Sequence, residues 1–229
     1  MEQLRLNSLS TESTTNSLAS RPLVTAQFPW TEAAERAIGF LLLAAAAPLL
    51  LFAVATLAAL SRRSPFIAHL RVGHNQAPFW VLKLRTMWTP GPAFPGERDW
   101  IERIVAEPDE DDKDPCDGRV SSRFAAFCRR HSIDELPQLW HVFRGDMSLV
   151  GPRPLTRSEV ARYYGVHAVE LLSRKPGLTG LWQVSGRSAI RFPERTALDL
   201  KLVRTLTPSV YLKLLFRTIP ALIYGRGAW

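Results

Sequence analysis

Residues 37–60 read AIGFLLLAAAAPLLLFAVATLAAL, and this stretch decides how the chain is organised. It holds 24 residues without a charge, which is long enough for a membrane helix. A buried core helix is the alternative interpretation, but a chain of 229 residues has little protein with which to surround such a helix. The stretch therefore predicts a membrane segment.

The middle of this segment carries Pro48. Proline removes one backbone hydrogen bond and clashes with the carbonyl four residues earlier, so we expect a break there. Each half then reaches roughly 17 Å, about one leaflet of a roughly 30 Å hydrocarbon core. Arg36 precedes the segment and Arg62 and Arg63 follow it, as expected when both ends are cytoplasmic. The pattern favours a re-entrant helix–break–helix; a single tilted span stays open, since prolines also occur in spanning helices.

The flanking composition divides the chain into three parts. Residues 1–30 form a polar tail rich in Ser and Thr, residues 31–63 the membrane segment, and residues 64–229 the main domain. Within that domain, residues 88–116 form a proline-rich acidic excursion. Residues 97–114 hold nine acidic and three basic side chains, so with a net charge of +8 the rest carries about +14. Such a basic body indicates an anionic partner: lipid head groups, phosphates or nucleic acid.

The main domain predicts a predominantly helical α+β fold. Two β-prone runs in residues 66–86 flank a turn and predict a short hairpin, in which alternation puts Lys83 and Arg85 on one face. A helical turn is expected around residues 100–106. Longer helices are expected over residues 123–145, with an interruption near Ser132, and over residues 156–173. Residues 211–224 fit equally an amphipathic helix on the membrane surface or a core-facing helix.

Residues 129–139, RRHSIDELPQL, hold the most informative polar pattern. One interpretation is structural: Ser132 and Glu135 have the spacing of a capping box, and Asp134 suits the first turn of a helix. The other is chemical. A carboxylate is a known nucleophile toward phosphorus, and a neighbouring carboxylate together with phosphate oxygens suits Mg²⁺.

Two further segments have both structural and chemical interpretations. Arg153 lies between two prolines, which would fix the direction of its guanidinium for a phosphate; an exposed arginine in a rigid turn is the alternative. Residues 177–187, GLTGLWQVSGR, combine flexible backbone with an aromatic ring and a cation that suit a nucleotide, or they form a turn-rich structural segment. The histidines show no metal-ligand spacing, and there is no G-x-S-x-G motif.

Read together, these segments resemble the bacterial sugar transferase family, the monotopic polyprenyl-phosphate phosphoglycosyl transferases. The resemblance covers about residues 33–229, with the motifs in the family's order after a proline-broken apolar segment. The matching runs are RVG at 71–73, KLRTM at 83–87, SIDELPQL at 132–139, GDMSLVGPRP at 145–154 and KPGLTGLWQVSGR at 175–187.

The resemblance implies a two-step transfer. Asp134 would attack the sugar-bearing phosphate of a UDP-sugar and release UMP, and polyprenyl (undecaprenyl) phosphate would then take the phosphosugar from the aspartyl intermediate. Glu135 would bind Mg²⁺. The phosphate- or substrate-binding residues implied are Lys83, Arg85, Arg129, Arg153 and Arg187, and the implied nucleotide contacts are Trp182 and Gln183.

The resemblance also implies a location and partners. The catalytic domain would lie on the cytoplasmic face of the bacterial inner membrane, anchored by the re-entrant helix broken at Pro48 and by interfacial amphipathic helices. It would begin the synthesis of a surface polysaccharide or glycoconjugate. The partners would be a UDP-sugar, polyprenyl phosphate and membrane lipids, with later glycosyltransferases of the pathway and a second copy of the chain as further candidates, and no nucleic acid.

This chain departs from the family pattern at two places. Ala47 replaces the small polar residue that often precedes the mid-membrane proline, and Tyr211 replaces an aspartate before the final Leu-Lys-Leu run, a role that Asp199 or no residue would fill. Two rival functions remain: a catalytically inactive scaffold of the same family and a membrane-tethered nucleic-acid binder. The intact Asp134–Glu135 pair argues against the scaffold. The basic residues lie within the motifs and not on a helix that could contact nucleic-acid bases, which argues against the nucleic-acid binder.

Overall fold

The computed structural model describes residues 29–88, 100–105, 120, 122–186 and 189–224. The predicted tail, residues 1–30, lies outside these ranges except for its last two residues, and so does most of the excursion at residues 88–116. Within the described ranges the chain is mostly helical and carries two small sheets. This confirms the prediction of a predominantly helical α+β fold.

The apolar stretch lies in one long helix, α1, Pro29–Ser61. By length and composition this helix is able to cross a membrane. The helix continues through Pro48, where the sequence predicts a break, because one missing hydrogen bond leaves the turns on either side intact. Large apolar side chains cover its outer surface: Ile38, Phe40, Leu41, Leu42, Leu49, Leu51, Phe52 and Leu60.

Both halves of α1 contact the main domain. Near its start, Glu32 accepts a hydrogen bond from Lys175 Nζ at 2.8 Å. A side chain at Gly39 would collide with Val142, so the helix approaches its neighbour closely there. Near its end, the fully buried Ala53 and Leu57 belong to a cluster with Leu84, Ala125, Cys128 and Ile133.

The predicted hairpin is confirmed. Strands β1, Phe66–Val72, and β2, Pro78–Leu84, pair antiparallel, and β3, Ile101–Ile104, pairs parallel with the other edge of β1. The helical turn expected around residues 100–106 is therefore wrong. Because pairing with a strand distant in sequence outweighs weak local propensity, residues 101–104 extend the sheet.

The helical stretch before the acidic pair is interrupted where the sequence predicts. Helix α2, Arg123–Arg130, begins after Ser122, whose hydroxyl accepts from two N–H groups of the first turn. The interruption lies at Ser132, which adopts a left-handed conformation with φ 55°. A 3₁₀ helix, Ile133–Gln138, and α3, Leu139–Arg144, continue the chain.

A second small sheet connects the remaining elements. Strand β4, Ser148–Val150, pairs parallel with β5, Gly177–Thr179. The helix expected between them is present, but it is built from turns of different width. Its parts are α4, Arg157–Glu159, a π-helical turn, Val160–Tyr164, a 3₁₀ turn, Gly165–His167, and α5, Ala168–Leu171.

Three helices complete the described chain: α6, Leu181–Ser185, α7, Phe192–Thr205, and α8, Pro208–Tyr224. Helix α8 combines the two predicted environments. Leu214 is buried in a cluster with Val150 and Leu202. The other side of α8 exposes large apolar side chains, namely Leu212, Phe216, Ile219, Ile223 and Tyr224. The same helix therefore packs on the core and presents an apolar surface.

Candidate active site

The adjacent carboxylates lie on the 3₁₀ helix and have different surroundings. Residues three apart in a 3₁₀ helix point the same way, so Glu135 and Gln138 share a face and Asp134 occupies the next one. Glu135 and Gln138 line a cleft, whereas Asp134 is only 9% exposed. The capping-box interpretation is wrong, because the left-handed Ser132 makes no side-chain cap to this helix.

The cleft brings together side chains from four separated parts of the sequence. Its empty space is about 300 Å³, counting the open mouth. The cations Lys83 and Arg153 lie on its wall together with the Glu135 carboxylate. The full lining is Arg71, Val81, Lys83, Glu135, Gln138, Arg153, Pro154, Gly177, Leu178 and Gln183. Such a mixture of cations, one carboxylate and amides suits a ligand with phosphate groups.

Strand β2 positions Lys83 over the acidic pair. Its Nζ lies 3.2 Å from Oε1 of Glu135, and both side chains are largely buried. Because the ammonium has three donors, it can hold the carboxylate and still donate to a phosphate oxygen. The pair thus keeps a positive and a negative group together at the cleft wall.

The pKa of Asp134 is raised above its usual range, mainly by burial and also by the charge of Glu135. Lys83 and Arg129 oppose this rise, since both favour the ionised form. Burial, with the Asp134 charge, also raises the pKa of the neighbouring Cys128 thiol to about 11. A carboxylate withdrawn from water beside two cations is a typical nucleophile environment.

Arg129 approaches the acidic pair from α2. Its Nη1 lies 2.8 Å from Met87 Sδ, and its charge lowers the pKa of Asp134. The described lining of the cleft does not include Arg129. The structure therefore places this arginine beside Asp134, away from the part of the cleft that holds Arg153.

Arg153 is held by a close approach of two backbones. A Cβ at Gly151 would lie 2.5 Å from the Lys175 carbonyl, and one at Gly177 would collide with the backbone of Gly151. Two hydrogen bonds join the same segments, from Gly177 N–H to the Pro152 carbonyl and from Gly151 N–H to the Thr179 carbonyl. Glycine is therefore required here, and the loop bearing Arg153 is fixed against β5.

The two predicted nucleotide contacts have different environments. Gln183 lines the cleft, and its buried Oε1 has no hydrogen-bond partner among the described residues. Trp182 is buried beneath the guanidinium groups of Arg153 and Arg195, at 5.7 and 4.6 Å from its ring centre. The indole ring therefore stacks with arginines, where the sequence suggested a nucleotide base.

Two predicted cations do not line the cleft. Arg85 lies just beyond β2, pairs with Glu102 on β3 and donates from Nε to the Ser64 carbonyl at 2.7 Å. Arg187 lies outside the described residues. Arg71 and Gln138 line the cleft although they were not predicted as site residues. The spacing of Gln138 from Glu135 would have indicated it, had the 3₁₀ helix been foreseen.

Among the described residues, no group of three or more His, Cys, Asp or Glu side chains has the arrangement of a metal site. Mg²⁺ does not need one, since it often takes one or two carboxylates and completes its shell with phosphate oxygens and water. Glu135 presents such a carboxylate to the cleft. The residues present therefore fit a magnesium ion that arrives with a diphosphate.

Comparison with known proteins identifies the family of the chain. The family described as bacterial sugar transferase matches residues 27–225. The exopolysaccharide production protein ExoY of Rhizobium meliloti (strain 1021) is 39% identical over 186 residues, which cover 80% of each chain. The UDP-glucose:undecaprenyl-phosphate glucose-1-phosphate transferase of Caulobacter vibrioides is 37% identical over 197 residues, 82% of this chain and 68% of that protein.

A further relative shows how the chain compares with longer proteins. The undecaprenyl-phosphate galactose phosphotransferase of Salmonella typhimurium is 38% identical over 164 residues, which are 70% of this chain but 34% of that protein. The family match covers every residue that lines the cleft, from Arg71 to Gln183. The chain therefore belongs to the bacterial sugar transferase family, and it is a phosphoglycosyl transferase.

Proposed function

We propose that the protein transfers a sugar-1-phosphate from a UDP-sugar to polyprenyl (undecaprenyl) phosphate. The products are a polyprenyl diphosphate-sugar and UMP, and the reaction begins the synthesis of a surface polysaccharide. The observation that carries the proposal is the ion pair of Lys83 and Glu135 at the wall of a cleft, directly beside the buried Asp134. The names of the relatives from Caulobacter vibrioides and Salmonella typhimurium support undecaprenyl phosphate as the acceptor.

In the first step, an Asp134 carboxylate oxygen attacks the phosphorus that bears the sugar. A new oxygen–phosphorus bond forms, the bond from that phosphorus to the bridging oxygen breaks, and UMP leaves with the bonding electrons. Burial of Asp134 supports this role, because a poorly solvated carboxylate is a better nucleophile. Lys83 and Arg153 hold the phosphates, whose charge would otherwise repel the attacking carboxylate.

In the second step, a phosphate oxygen of the polyprenyl phosphate attacks the same phosphorus. The bond from Asp134 to phosphorus breaks, which regenerates the free carboxylate and releases the polyprenyl diphosphate-sugar. Glu135 would hold Mg²⁺, and the ion would offset negative charge on the diphosphate. The Lys83 ammonium holds the Glu135 carboxylate at the cleft wall in the absence of substrate.

The lipid acceptor requires the cleft to lie at a membrane surface, and the contacts of α1 support this. Glu32 near the start of α1 and Leu57 near its end are both held by the same domain. A helix that crossed the bilayer would separate these ends by the hydrocarbon core, roughly 30 Å. Both ends therefore belong on one side, the cytoplasmic face of the inner membrane in this proposal. The exposed apolar side of α1 then enters one leaflet, and the continuous helix lies at the membrane interface.

The inactive-scaffold alternative is separated from the transferase by one experiment. UMP release is measured for the full-length protein in lipid nanodiscs with Mg²⁺, undecaprenyl phosphate and a panel of UDP-sugars. We expect turnover with at least one donor, its loss in Asp134→Asn, and its retention in Asp146→Asn, which makes the same change outside the cleft. Incubation with donor alone should add the mass of one sugar phosphate to the wild type only. Folded protein that releases no UMP from any donor would instead favour the scaffold.

A further inference from the structure

Behind the cleft lies a buried carboxylate that the proposed reaction does not use. Asp199 on α7 is only 1% exposed. The Tyr164 hydroxyl donates to its Oδ2 at 2.8 Å, while Oδ1 makes no hydrogen bond of ordinary geometry with the described residues. Burying a carboxylate costs several kcal/mol unless charges or donors compensate. The position of Asp199 therefore calls for a nearby cation.

Arg153 and Arg195 are both near Asp199, and Arg153 lines two cavities. It lines the cleft that holds Lys83 and Glu135, and it also lines a second, narrow cavity whose empty space is about 170 Å³, counting its open side. The second cavity is formed by Arg153, Leu155, Tyr164, Trp182, Phe192, Arg195 and Asp199. The Arg153 side chain thus has the Asp199 carboxylate on one side and the phosphate-binding cleft on the other.

A second cation, Arg195, lines the same cavity and is held by contacts with its neighbours. Arg195 donates from Nε to the Ile190 carbonyl at 2.5 Å, and its guanidinium lies 4.6 Å from the Trp182 ring centre. The Arg153 guanidinium also lies over the Trp182 ring, 5.7 Å from its centre. Because Arg195 is held by backbone and by stacking, Asp199 has one cation that is fixed and one, Arg153, that reaches the cleft.

Tyr164 reaches Asp199 from an unusual backbone. It ends the π-helical turn Val160–Tyr164 and is followed by Gly165 with φ 45°. π-helical turns are rare and frequently lie at functional sites, since they displace one side chain relative to a regular helix. The last residue of this turn is the tyrosine that donates to Asp199. The wide turn and the buried carboxylate therefore form one arrangement directed at Arg153.

We propose that Asp199 and Tyr164 are positioning residues that hold the Arg153 guanidinium in the direction required to bind the donor diphosphate. This inference rests on the proposed transfer reaction and names two further residues for it. Tyr164 orients the carboxylate, the carboxylate orients the guanidinium, and the guanidinium contacts the phosphates. Neither Asp199 nor Tyr164 touches substrate.

The main test is a double-mutant cycle between Asp199→Asn and Arg153→Lys. Asp199→Asn keeps the shape of the side chain and removes its charge. We expect kcat/KM for the UDP-sugar to fall roughly 10- to 100-fold, chiefly through a higher KM. In the Arg153→Lys background the same change should cost less than about threefold, because a lysine has no planar guanidinium to orient. Additive effects would mean that Asp199 does not act through Arg153, and would overturn the inference.

Two companion variants separate positioning from folding. Tyr164→Phe keeps the ring and should raise KM in the same direction as Asp199→Asn, by a smaller factor. Glu194→Gln removes an exposed carboxylate from the same helix and should leave KM unchanged. An Asp199→Asn protein that keeps its melting temperature and has the wild-type KM would overturn the inference while the transfer reaction stands.

Calorimetric titration with UDP and Mg²⁺ provides a readout that does not depend on turnover. We expect the Kd for UDP to rise at least tenfold in Asp199→Asn and to be unchanged in Glu194→Gln. If the wild type binds UDP with this dependence but releases no UMP from any UDP-sugar, the proposed reaction fails and the positioning role stands. If the wild type turns over and UDP affinity is the same in wild type and Asp199→Asn, only the positioning role fails. A wild type that neither binds UDP nor turns over overturns both.

Discussion

The carboxylate of Glu35 on α1 accepts a hydrogen bond from the hydroxyl of Tyr211 on α8. It accepts a second one from Ser148 Oγ on β4 at 2.5 Å. Burial and the neighbouring Glu35 raise the pKa of Tyr211, so this phenol stays protonated and donates. An aspartate at this position, which the family resemblance leads one to expect, would instead face Glu35 with a second negative charge. A tyrosine at position 211 therefore suits the carboxylate that Glu35 presents on α1.

Replacing Tyr211 should loosen the attachment of α1. Tyr211→Phe removes one hydrogen bond to a charged group and should lower the free energy of unfolding by about 1–3 kcal/mol. Tyr211→Asp should cost more, because two carboxylates then share one site. Thermal unfolding in nanodiscs measures both, and the Glu35→Gln background is the control. If Tyr211→Asp remains equally destabilising in that background, repulsion by Glu35 is not the cause.

Lys83 and Arg85 should differ sharply although they are two residues apart. Lys83→Gln leaves Glu135 without its cation at the cleft wall, so kcat/KM should fall roughly 10²-fold. Arg85→Gln breaks the contacts with Glu102 and Ser64 outside the cleft, so it should lower stability by about 1–3 kcal/mol. Steady-state kinetics and thermal unfolding separate these effects, with Lys201→Gln as a surface control. Equal kinetic losses in both variants would contradict the placement of Arg85.

Asp199 should make stability depend on pH in a defined direction. Burial raises its pKa to about 7, against the opposing Tyr164 hydrogen bond and the charges of Arg153 and Arg195. At Asp199 the folded protein then binds a proton more tightly than the unfolded chain does. The contribution of Asp199 to the free energy of unfolding therefore falls as the pH rises from about 4 to 7. Asp199→Asn lacks that slope. The melting temperature of Asp199→Asn minus that of the wild type should therefore increase between pH 4.5 and 8. A difference that stays constant would argue against titration of Asp199 in this range.

Labelling in oriented membrane vesicles tests the placement of α1. Ala34→Cys lies near the start of α1 and Arg63→Cys just beyond its end, and a Cys116→Ser background removes one native thiol while Cys128 is buried. We expect a membrane-impermeant maleimide to label both positions from the same side, because the same domain holds both ends of α1. Labelling from opposite sides would establish a spanning helix and contradict the placement of both ends on one side.

Much of the local structure followed from the sequence because its causes are local. The apolar length of α1, the hairpin between β1 and β2, and the interruption at Ser132 each depend on residues close in sequence. Strand β3 was missed because it is formed by pairing with β1, more than 30 residues away along the chain. The continuity of α1 through Pro48 was missed because a proline predicts a missing hydrogen bond, and not how far the helix on either side resists bending.

The site residues divide in the same way, into those that local motifs identify and those whose role depends on tertiary packing. Lys83, Glu135 and Arg153 were identified from motifs, and the cleft brings them together. The capping box failed because one left-handed residue, Ser132, turns the chain at the start of the 3₁₀ helix, a conformation that local pairing rules do not reveal. Trp182 has the residue type of a nucleotide contact, yet Arg153 and Arg195 cover its ring. Tertiary packing determines which groups contact this ring, and the local sequence does not show it.

The contact between Gly151 and Gly177 limits how the enzyme can change over evolution or in the laboratory. Backbone touches backbone at this point, so a single added methyl group would push the Arg153 loop away from β5. New donor specificity is therefore more easily obtained by exchanging side chains around the mouth of the cleft, such as Gln183, than by altering these two positions. The two glycines make this loop the least adaptable part of a site whose other walls are built from replaceable side chains.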